Sequence, residues 1–473
     1  LVDPDFGWHL RTGLDLIATG RLPKTDPYSH TMPDWPWVEH AWLMDGIIGL
    51  IYSGLGGVGV IVLFAAVIAS ALIMGAASAR ASRTIRFISV AAVAWIALPF
   101  LGARMQMVTL LGVAIVLWLW RTYRDERLTH LWAMPMLFLL WANVHGGFTA
   151  GLFTVGVILM ASGIARLTIM QWPSLSRRIA EPILSWPQIR HLALVFVISI
   201  LITLINPYGW RLHGEIYASL TDRFMLDTLR EWQSVSLYTR AGAIYVIYVV
   251  TLAGALVAWY RRVEPVRWAV FAVFLLLSLR HSRNVPFFLL VSLPVWAEML
   301  SASATRMSAW VPAEWIARGR AAFAGSLLMA ITLVLLGSGH LERVARCGLA
   351  TDDFFRDTEY PIEAVHWVQA HRGQLGSNLY NDYGLGGFLL WWLPGEKIFI
   401  DGRMPAWRVG DRWILYDYLV LANRDPPEFG VLNKYLVDWA IVGRETTLER
   451  AMASQPEWRK VYEDLKVRIY VKA

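Results

Sequence analysis

Acidic, imidazole and guanidinium side chains are concentrated in the first forty residues. Asp3 and Asp5 lie one residue apart, His9 and Arg11 follow closely, and the pair Glu39-His40 ends the segment. Such a group of side chains can supply a general base, or bind a divalent cation that bridges a phosphate. The other interpretation is a hydrogen-bonded surface loop. The composition of the segment leaves the two interpretations evenly balanced, and in the first of them His9, Arg11, Glu39 and His40 are candidate substrate-binding residues. The same residues permit Mg²⁺ or Mn²⁺ without demanding either.

Two later turns carry further candidate binding residues. His145 lies in the turn 143–147, whose glycines tolerate positive φ, and its imidazole is either a ligand or a polar helix cap. Arg280 and Arg283 lie in the polar run 280–284. A phosphate or diphosphate suits the guanidinium fork, and the alternative is anchoring to lipid headgroups.

The composition is that of a membrane protein. Of 473 residues, 56% are hydrophobic and 17% are charged, whereas soluble domains carry about 25% charged residues. Apolar runs suited to a hydrocarbon core of roughly 30 Å recur along the chain. They predict ten crossings, at 58–79, 88–101, 105–120, 131–144, 148–165, 192–206, 242–260, 268–279, 285–300 and 321–337. An eleventh helix before Leu1 is expected, because the first segment must reach the side opposite the arginine-rich loops.

Arginines accumulate in every second connecting loop, as the positive-inside rule predicts for the cytoplasmic face. These are residues 80, 83 and 86, then 121, 124 and 127, then 166, 177, 178 and 190, then 261, 262 and 267, and finally 306, 318 and 320. These loops account for most of the net charge of +7, so we expect membrane lipid and not nucleic acid as a partner. Arg280 and Arg283 fall on the opposite, outer face.

The pattern predicts a polytopic α-helical membrane protein with a soluble α/β domain at its C-terminal end. The expected divisions are an extracytoplasmic first loop at 1–42, a helical bundle at 43–338 and an extracytoplasmic domain at 339–473. In that domain, 362–371 has helical spacing, and we expect strands at 378–380, 397–401, 439–442 and 467–471 in a partly parallel sheet. The single cysteine, Cys347, excludes a disulfide framework and is expected to be an inert packing residue.

Two polar runs of the C-terminal domain follow predicted strands, where α/β domains place binding residues. They are 381–387 and 399–403, and neither has the spacing of a nucleotide-binding loop. The favoured interpretation of both is turn formation and docking on the bundle.

Several motifs resemble a group of bacterial GT-C-like polytopic membrane proteins. They are DPDFGWHLRTG at 3–13, RLPKTDPYS at 21–29, WVEHAWL at 37–43, NPYG at 206–209 and FIDGR at 399–403. The resemblance spans most of the chain. The group is assigned to glycosyl transfer by analogy with protein mannosyltransferases, oligosaccharyltransferases and aminoarabinose transferases.

The resemblance implies a glycosyltransferase of the bacterial inner membrane that uses a polyprenyl-phosphate-linked sugar. It implies that Asp3 or Asp5 is the catalytic base or orients the acceptor, with the active site at the outer face. Arg280 and Arg283 would then stabilise the phosphate charge. The first alternative is a non-catalytic scaffold within a larger complex of protein partners. A transporter is the second, although paired interrupted helices and internal repeats are missing from the sequence.

Overall fold

The computed structural model describes residues 3–128, 131–179, 182–259, 265–308 and 360–473. The predicted crossing at 321–337, Cys347 and the arginines at 261, 262, 318 and 320 lie outside these residues. The chain divides into two compact units. The described part of the first unit comprises 3–62, 214–225 and 360–473, and that of the second comprises 63–128, 131–179, 182–213, 226–259 and 265–308.

Helices make up most of the described chain. Up to residue 308 they are α1 Phe6–Thr19, α2 Trp42–Ala77, α3 Arg83–Ala97, α4 Gln106–Arg124, α5 Ala133–Val144, α6 Phe148–Gln171, α7 Trp186–Ile202, α8 Trp210–Thr221, α9 Arg223–Thr228, α10 Arg240–Trp259, α11 Pro265–Arg280 and α12 Val285–Ser308. From residue 360 they are α13 Ile362–His371, α14 Gly386–Trp392, α15 Ile414–Ala422, α16 Gly430–Lys434 and α17 Thr447–Ala453.

The long apolar helices identify a multi-pass membrane protein. Among the described residues, six helices are long and apolar enough to cross a membrane. They are Trp42–Ala77, Arg83–Phe100, Gln106–Arg124, Phe148–Gln171, Arg240–Val257 and Ser282–Thr305, and α5 and α7 are shorter apolar helices. The nine predicted runs that fall in the described residues lie largely in helices, but the count of ten to eleven spans is not confirmed.

In the second unit, small residues let helices pack closely around an aromatic ring. A Cβ on Gly112 of α4 or on Gly151 of α6 would overlap the ring of Trp141, which α5 contributes. The unit also contains a buried ion pair, in which Arg267 Nη2 donates to Glu298 Oε1 at 3.1 Å. The guanidinium fork satisfies a carboxylate that would otherwise be costly to bury between apolar helices.

The first unit begins with a helix that the sequence did not predict. The carbonyl of Asp3 accepts from the Phe6 N–H at 3.0 Å, and α1 ends at Gly20, whose φ of 65° lies in the left-handed region. Helix α1 therefore lies within the segment 1–42 that the sequence analysis described as a first loop, and the prolines at 23, 27, 33 and 36 follow the helix. α2 then runs through Trp42–Ala77 with a kink at Gly56, where φ is 62°.

A four-stranded sheet forms the centre of the C-terminal part. The strands are β1 Leu379–Asn381, β2 Arg408–Val409, β3 Arg412–Trp413, β4 Trp439–Gly443, β5 Trp458–Glu463 and β6 Val467–Lys472. The order is β1-β4-β6-β5, with β1 and β4 parallel and the other pairs antiparallel, while β2 and β3 form a separate ribbon. This arrangement confirms the α/β region and the partly parallel sheet.

The predicted strand at 397–401 pairs outside this sheet, so that assignment is corrected. Ile398 donates to the carbonyl of Tyr28 at 3.0 Å and accepts from His30 N–H at 3.2 Å. The backbone hydrogen bonds of Ile398 are thus satisfied by residues 28–30, which makes the first segment part of the C-terminal fold.

Residues of the first segment also enter both hydrophobic cores of this unit. Alternate residues of β4 face opposite sides of the sheet, as strand geometry requires. Trp439 packs in the core that includes Trp8 and Trp37, and Ala440 packs in the core that includes Met32. The burial of these side chains fixes the first segment against the sheet.

Candidate functional site

The helices α1 and α2 bring a buried histidine to a buried carboxylate. His9 Nδ1 lies 2.8 Å from Asp45 Oδ1, and the side chain of Asp45 is fully buried. Two glycines permit the approach. A Cβ on Gly13 would overlap the carbonyl of Asp45, and one on Gly49 would lie 2.8 Å from the carbonyl carbon of Gly13. The helix spacing therefore depends on glycine at both positions.

Glu39 completes a cluster with His9 and Asp45. Glu39 is fully buried, and its Oε1 accepts a hydrogen bond from Ala41 N–H at 3.1 Å. One nitrogen of His9 and one oxygen of each carboxylate lie within 4.8 Å of one another. Burial, followed by the nearby Asp45, raises the pKa of Glu39 well above its usual range. Among the described residues, these three side chains form the group that could hold a metal ion.

His9 and His40 are held in their neutral forms. Burial and then the positive charge of Arg403 lower the pKa of His9 well below its usual value. Burial and then His9 lower the pKa of His40 to about 3. The ring of Trp8 stacks on His9 with a centroid separation of 3.5 Å. Both imidazoles are therefore uncharged at neutral pH.

A buried arginine ties the first segment to the C-terminal part of the same unit. Arg403 Nη1 donates to Asp26 Oδ1 at 2.7 Å, and its Nε donates to Asp401 Oδ2 at 2.8 Å. Its side chain is only 3% exposed. The guanidinium lies 4.9 Å from the ring centre of Trp37 and 5.2 Å from that of Tyr28. This arrangement is a cation enclosed by two carboxylates and aromatic faces.

Asp3 and Asp5 lie at the start of α1 and are partly exposed. Asp3 Oδ1 accepts from the backbone N–H of Asp5 at 3.0 Å. The carboxylate of Asp5 lies where a Cβ on Gly402 would be, and the carbonyl of Pro4 lies where a Cβ on Gly387 would be. The two glycine-containing runs of the C-terminal part thus dock on the beginning of α1, where docking on the bundle was expected. The catalytic role of Asp3 and Asp5 stays a prediction.

Arg11 lies two residues after His9 on α1. Its Nε donates to Asp15 Oδ2 at 3.0 Å, and both side chains are partly exposed. Asp15 also accepts from the hydroxyl of Tyr28 at 2.7 Å. Arg11 is therefore positioned by its own helix and remains accessible to solvent.

In the second unit, His145 ends α5 and packs against α4. Its Nδ1 lies 2.7 Å from Thr109 Oγ1 and accepts from Gly147 N–H at 3.1 Å. The glycine is required, since a Cβ at Gly147 would overlap the Thr109 hydroxyl. These contacts fix the tautomer, because a nitrogen that accepts from a backbone N–H carries no proton.

The turn between α11 and α12 presents Arg283. Its Nη1 donates to Glu231 Oε1 at 3.0 Å, and its guanidinium lies 4.1 Å from the ring centre of Trp232. The side chain of Arg283 is 27% exposed, and Arg280 at the end of α11 is exposed. Gln106 Nε2 donates to the carbonyl of Arg283 at 2.5 Å. Because Gln106 and Thr109 lie one turn apart on α4, the start of α4 contacts the turns that carry His145 and Arg283.

Sequence reasoning missed several of these partners. Asp45 is a lone carboxylate in an apolar run of the sequence. An isolated ionisable residue in such a run is the feature that could have identified it as a functional candidate. Arg403 belongs to the polar run 399–403, but its partner Asp26 is 377 positions away. Glu231 lies in a segment of mixed charge that gave no signal of its own.

Comparison with known proteins identifies the fold. No family model matches the sequence, and no curated protein matches it. The structure is similar to the Archaeoglobus fulgidus oligosaccharyltransferase tethered to an acceptor peptide containing the NVT sequon, at 12% identity and a TM-score of 0.51. This match covers 100% of the present chain and 70% of the other.

Two further structures of the archaeal protein agree. The apo form matches at 11% identity and a TM-score of 0.50, over 93% of this chain and 66% of the other. Archaeoglobus fulgidus AglB in complex with an inhibitory peptide and a dolichol-phosphate matches at 12% identity and a TM-score of 0.51, over 98% and 70%. The chain therefore has the GT-C fold of an archaeal oligosaccharyltransferase, built on apolar helices and a C-terminal α/β region.

Proposed function

We propose that the protein is a GT-C-type glycosyltransferase that moves a sugar from a polyprenyl-phosphate donor to an extracytoplasmic acceptor. The fold likeness, which extends over the whole chain, is the observation that carries this proposal. One of the similar structures binds a dolichol-phosphate, which is a lipid of the proposed donor class. The proposed location is the bacterial inner membrane, with the C-terminal domain on the outer face.

The reaction is substitution at the anomeric carbon of the sugar. The acceptor heteroatom forms a bond to that carbon, and the bond from the carbon to the phosphate oxygen breaks. The acceptor proton passes to a carboxylate, and the electron pair leaves with the polyprenyl phosphate. The leaving group is already a weak base, so stabilising its charge contributes more than protonating it.

Asp3 and Asp5 are assigned to the acceptor side of this reaction. Both are partly exposed, whereas Glu39 and Asp45 are fully buried. A general base must reach the proton that it abstracts, so the accessible pair is favoured over the buried one. We assign a supporting role at this end of α1 to four further residues, which would act by direct contact or by packing against the helix. They are His9, Arg11, Glu39 and His40.

Arg280 and Arg283 are assigned to the donor phosphate. Arg283 is accessible, and the guanidinium already forms one charge-assisted hydrogen bond to a carboxylate. A phosphate can replace that carboxylate with similar geometry. His145 is assigned to the same task, because its acceptor nitrogen is occupied and its other nitrogen carries the donor proton.

The test is sugar transfer by the purified protein in detergent, with a short-chain polyprenyl phosphate carrying a radiolabelled hexose. Release of polyprenyl phosphate is measured with and without mixed acceptors. Loss of a general base costs roughly 10²- to 10⁴-fold, so the better placed of Asp3→Asn and Asp5→Asn should show that loss. Asp34→Asn is the matched control, since its side chain in the same segment is 80% exposed. Stable partner subunits and no turnover by wild type would favour the scaffold.

A further inference from the structure

The His9, Glu39 and Asp45 side chains leave two buried oxygens unsatisfied. Glu39 Oε2 and Asp45 Oδ2 have no hydrogen-bond partner among the described residues. Both residues are fully buried. A buried carboxylate oxygen without a partner carries the full cost of its desolvation, so binding of a cation or a proton at these oxygens would stabilise the folded protein.

The surrounding charges do not compensate for the two acids. The buried cation found in the described part of this unit is Arg403, and it already pairs with Asp26 and Asp401 at 2.7 and 2.8 Å. In their ionised forms, Glu39 and Asp45 would add to a group that already has a net charge of one negative unit. Burying two more carboxylates is tolerated in proteins when a cation neutralises them.

We propose that His9, Glu39 and Asp45 bind a divalent transition-metal cation, Zn²⁺ or Mn²⁺, that fastens α1 to α2. One imidazole nitrogen and two carboxylate oxygens already lie within 4.8 Å of one another. Bound at about 2.0–2.2 Å from each atom, the ion would draw them slightly together. It would bind one oxygen of each carboxylate and neutralise both negative charges.

The three ligand side chains, one imidazole and two carboxylates, favour some metal ions over others. Mg²⁺ and Ca²⁺ prefer oxygen ligands alone and retain several waters, whereas imidazole with carboxylates suits Zn²⁺ and Mn²⁺. A fully buried pair of carboxylates leaves little room for a hydrated Mg²⁺. The sequence permitted Mg²⁺ or Mn²⁺ in this segment, and the geometry narrows that choice.

The site is structural and does not require sugar transfer. Its ligands come from α1, from the residues before α2 and from α2 itself, so the metal would hold together the segment that presents Asp3 and Asp5. Metal content can therefore be measured whether or not the protein transfers sugars, and the failure of one proposal leaves the other standing.

The experiment is metal analysis of the whole purified chain. After dialysis against chelator, Zn²⁺ or Mn²⁺ is added, excess is removed, and bound metal is quantified by mass spectrometry. We expect close to one equivalent of metal and a higher melting temperature, because a ligand that binds only the native state stabilises it. Mg²⁺ should not compete at equal concentration.

Variants separate this site from adventitious binding. Glu39→Gln and Asp45→Asn should each weaken metal binding roughly tenfold or more, since each removes an anionic ligand. Asp15→Asn is the matched control, because Asp15 lies on α1 but pairs with Arg11 and Tyr28. Wild-type binding in both variants would overturn the proposal.

Spectroscopy on wild type keeps the test decisive if the variants fail to fold. X-ray absorption at the edge of the bound metal should show one imidazole together with oxygen ligands. An all-oxygen shell, or wild-type protein without stoichiometric metal, would overturn the proposal. The second result would mean that Glu39 and Asp45 share a proton instead of a cation.

Discussion

The cluster around His9 and the turn that carries Arg283 differ in how far their charged side chains are buried. His9, Glu39 and Asp45 lie in a fully buried cluster where each charge must be neutralised inside the protein. Arg283 is 27% exposed and pairs with Glu231, which is 43% exposed. The first group belongs to the first compact unit and the second to the other.

The difference separates residues that shape the protein from residues that can exchange partners. A buried charge cannot change partner without a large cost, whereas a partly exposed ion pair is worth about 0–1 kcal/mol and is easily replaced. Substitutions in the buried group should therefore affect stability first. Substitutions at the exposed turn should affect ligand binding first.

The largest expected effect is that of Arg403→Ala on stability. The substitution leaves Asp26 and Asp401 buried without their counter-ion, which costs about 3–5 kcal/mol. Thermal unfolding in detergent, followed by tryptophan fluorescence, measures the loss. Arg424→Ala is the control, because that arginine is 63% exposed and should contribute under about 1 kcal/mol. Equal melting temperatures for the two variants would contradict the description of the buried group.

A pH-dependent effect is expected at Asp382 in the same unit. Burial raises its pKa from 3.8 to about 6, although the Gly443 N–H that it accepts acts in the opposite direction. Because the folded-state pKa is raised, the stabilising contribution is complete below pH 3.8 and is lost as the pH rises through 6. Asp382→Asn should therefore stabilise the protein at pH 7 by up to roughly 3 kcal/mol. The gain should disappear near pH 4, and a constant difference between the two pH values would refute this assignment.

Arg283 represents the partly exposed charges, whose substitution should affect ligand binding more than stability. Arg283→Ala should weaken binding of a short-chain polyprenyl phosphate roughly tenfold to a hundredfold, since a charge-assisted hydrogen bond contributes about 1.5–3 kcal/mol. Isothermal titration measures the affinity, and the melting temperature should change little. Glu231→Gln sharpens the test, because removing the competing carboxylate should tighten binding severalfold. Unchanged affinity in both variants would remove Arg283 from the donor site.

The smallest expected effect tests how the beginning of α1 is packed. Gly387→Ala places a Cβ against the carbonyl of Pro4, and overpacking of this kind costs about 1–3 kcal/mol. Gly384→Ala is a close control, because a Cβ there meets nothing within 4 Å. Activity should fall with Gly387→Ala and stay unchanged with Gly384→Ala. Equal behaviour of the two would mean that this contact does not position α1.

The sequence predicted the elements whose signal is local. Long apolar runs gave the membrane helices, and short apolar runs gave β1, β4 and β6. The edge strand β5 was missed because three of its six residues are exposed and charged. α1 was missed because Gly7 and Gly13 lower helix propensity, while both are needed for close packing.

Pairings between distant residues could not be predicted in this way. The segment 397–401 has the composition of a strand, but its partner lies at residues 28–30. His9 was identified as a candidate by its type, whereas its contact with Asp45 depends on how α1 meets α2. Periodicity reports which face of an element is buried and does not report what it is buried against.

The proposed sugar transfer from a polyprenyl-phosphate donor is tested most simply by comparing the turnover of wild type with that of three variants. Wild type, Asp3→Asn, Asp5→Asn and the double variant are assayed for release of polyprenyl phosphate from a labelled lipid-linked hexose. We expect turnover by wild type and a loss of roughly 10²-fold or more in at least the double variant. Full turnover by the double variant, with melting temperatures unchanged, would contradict the assigned chemistry.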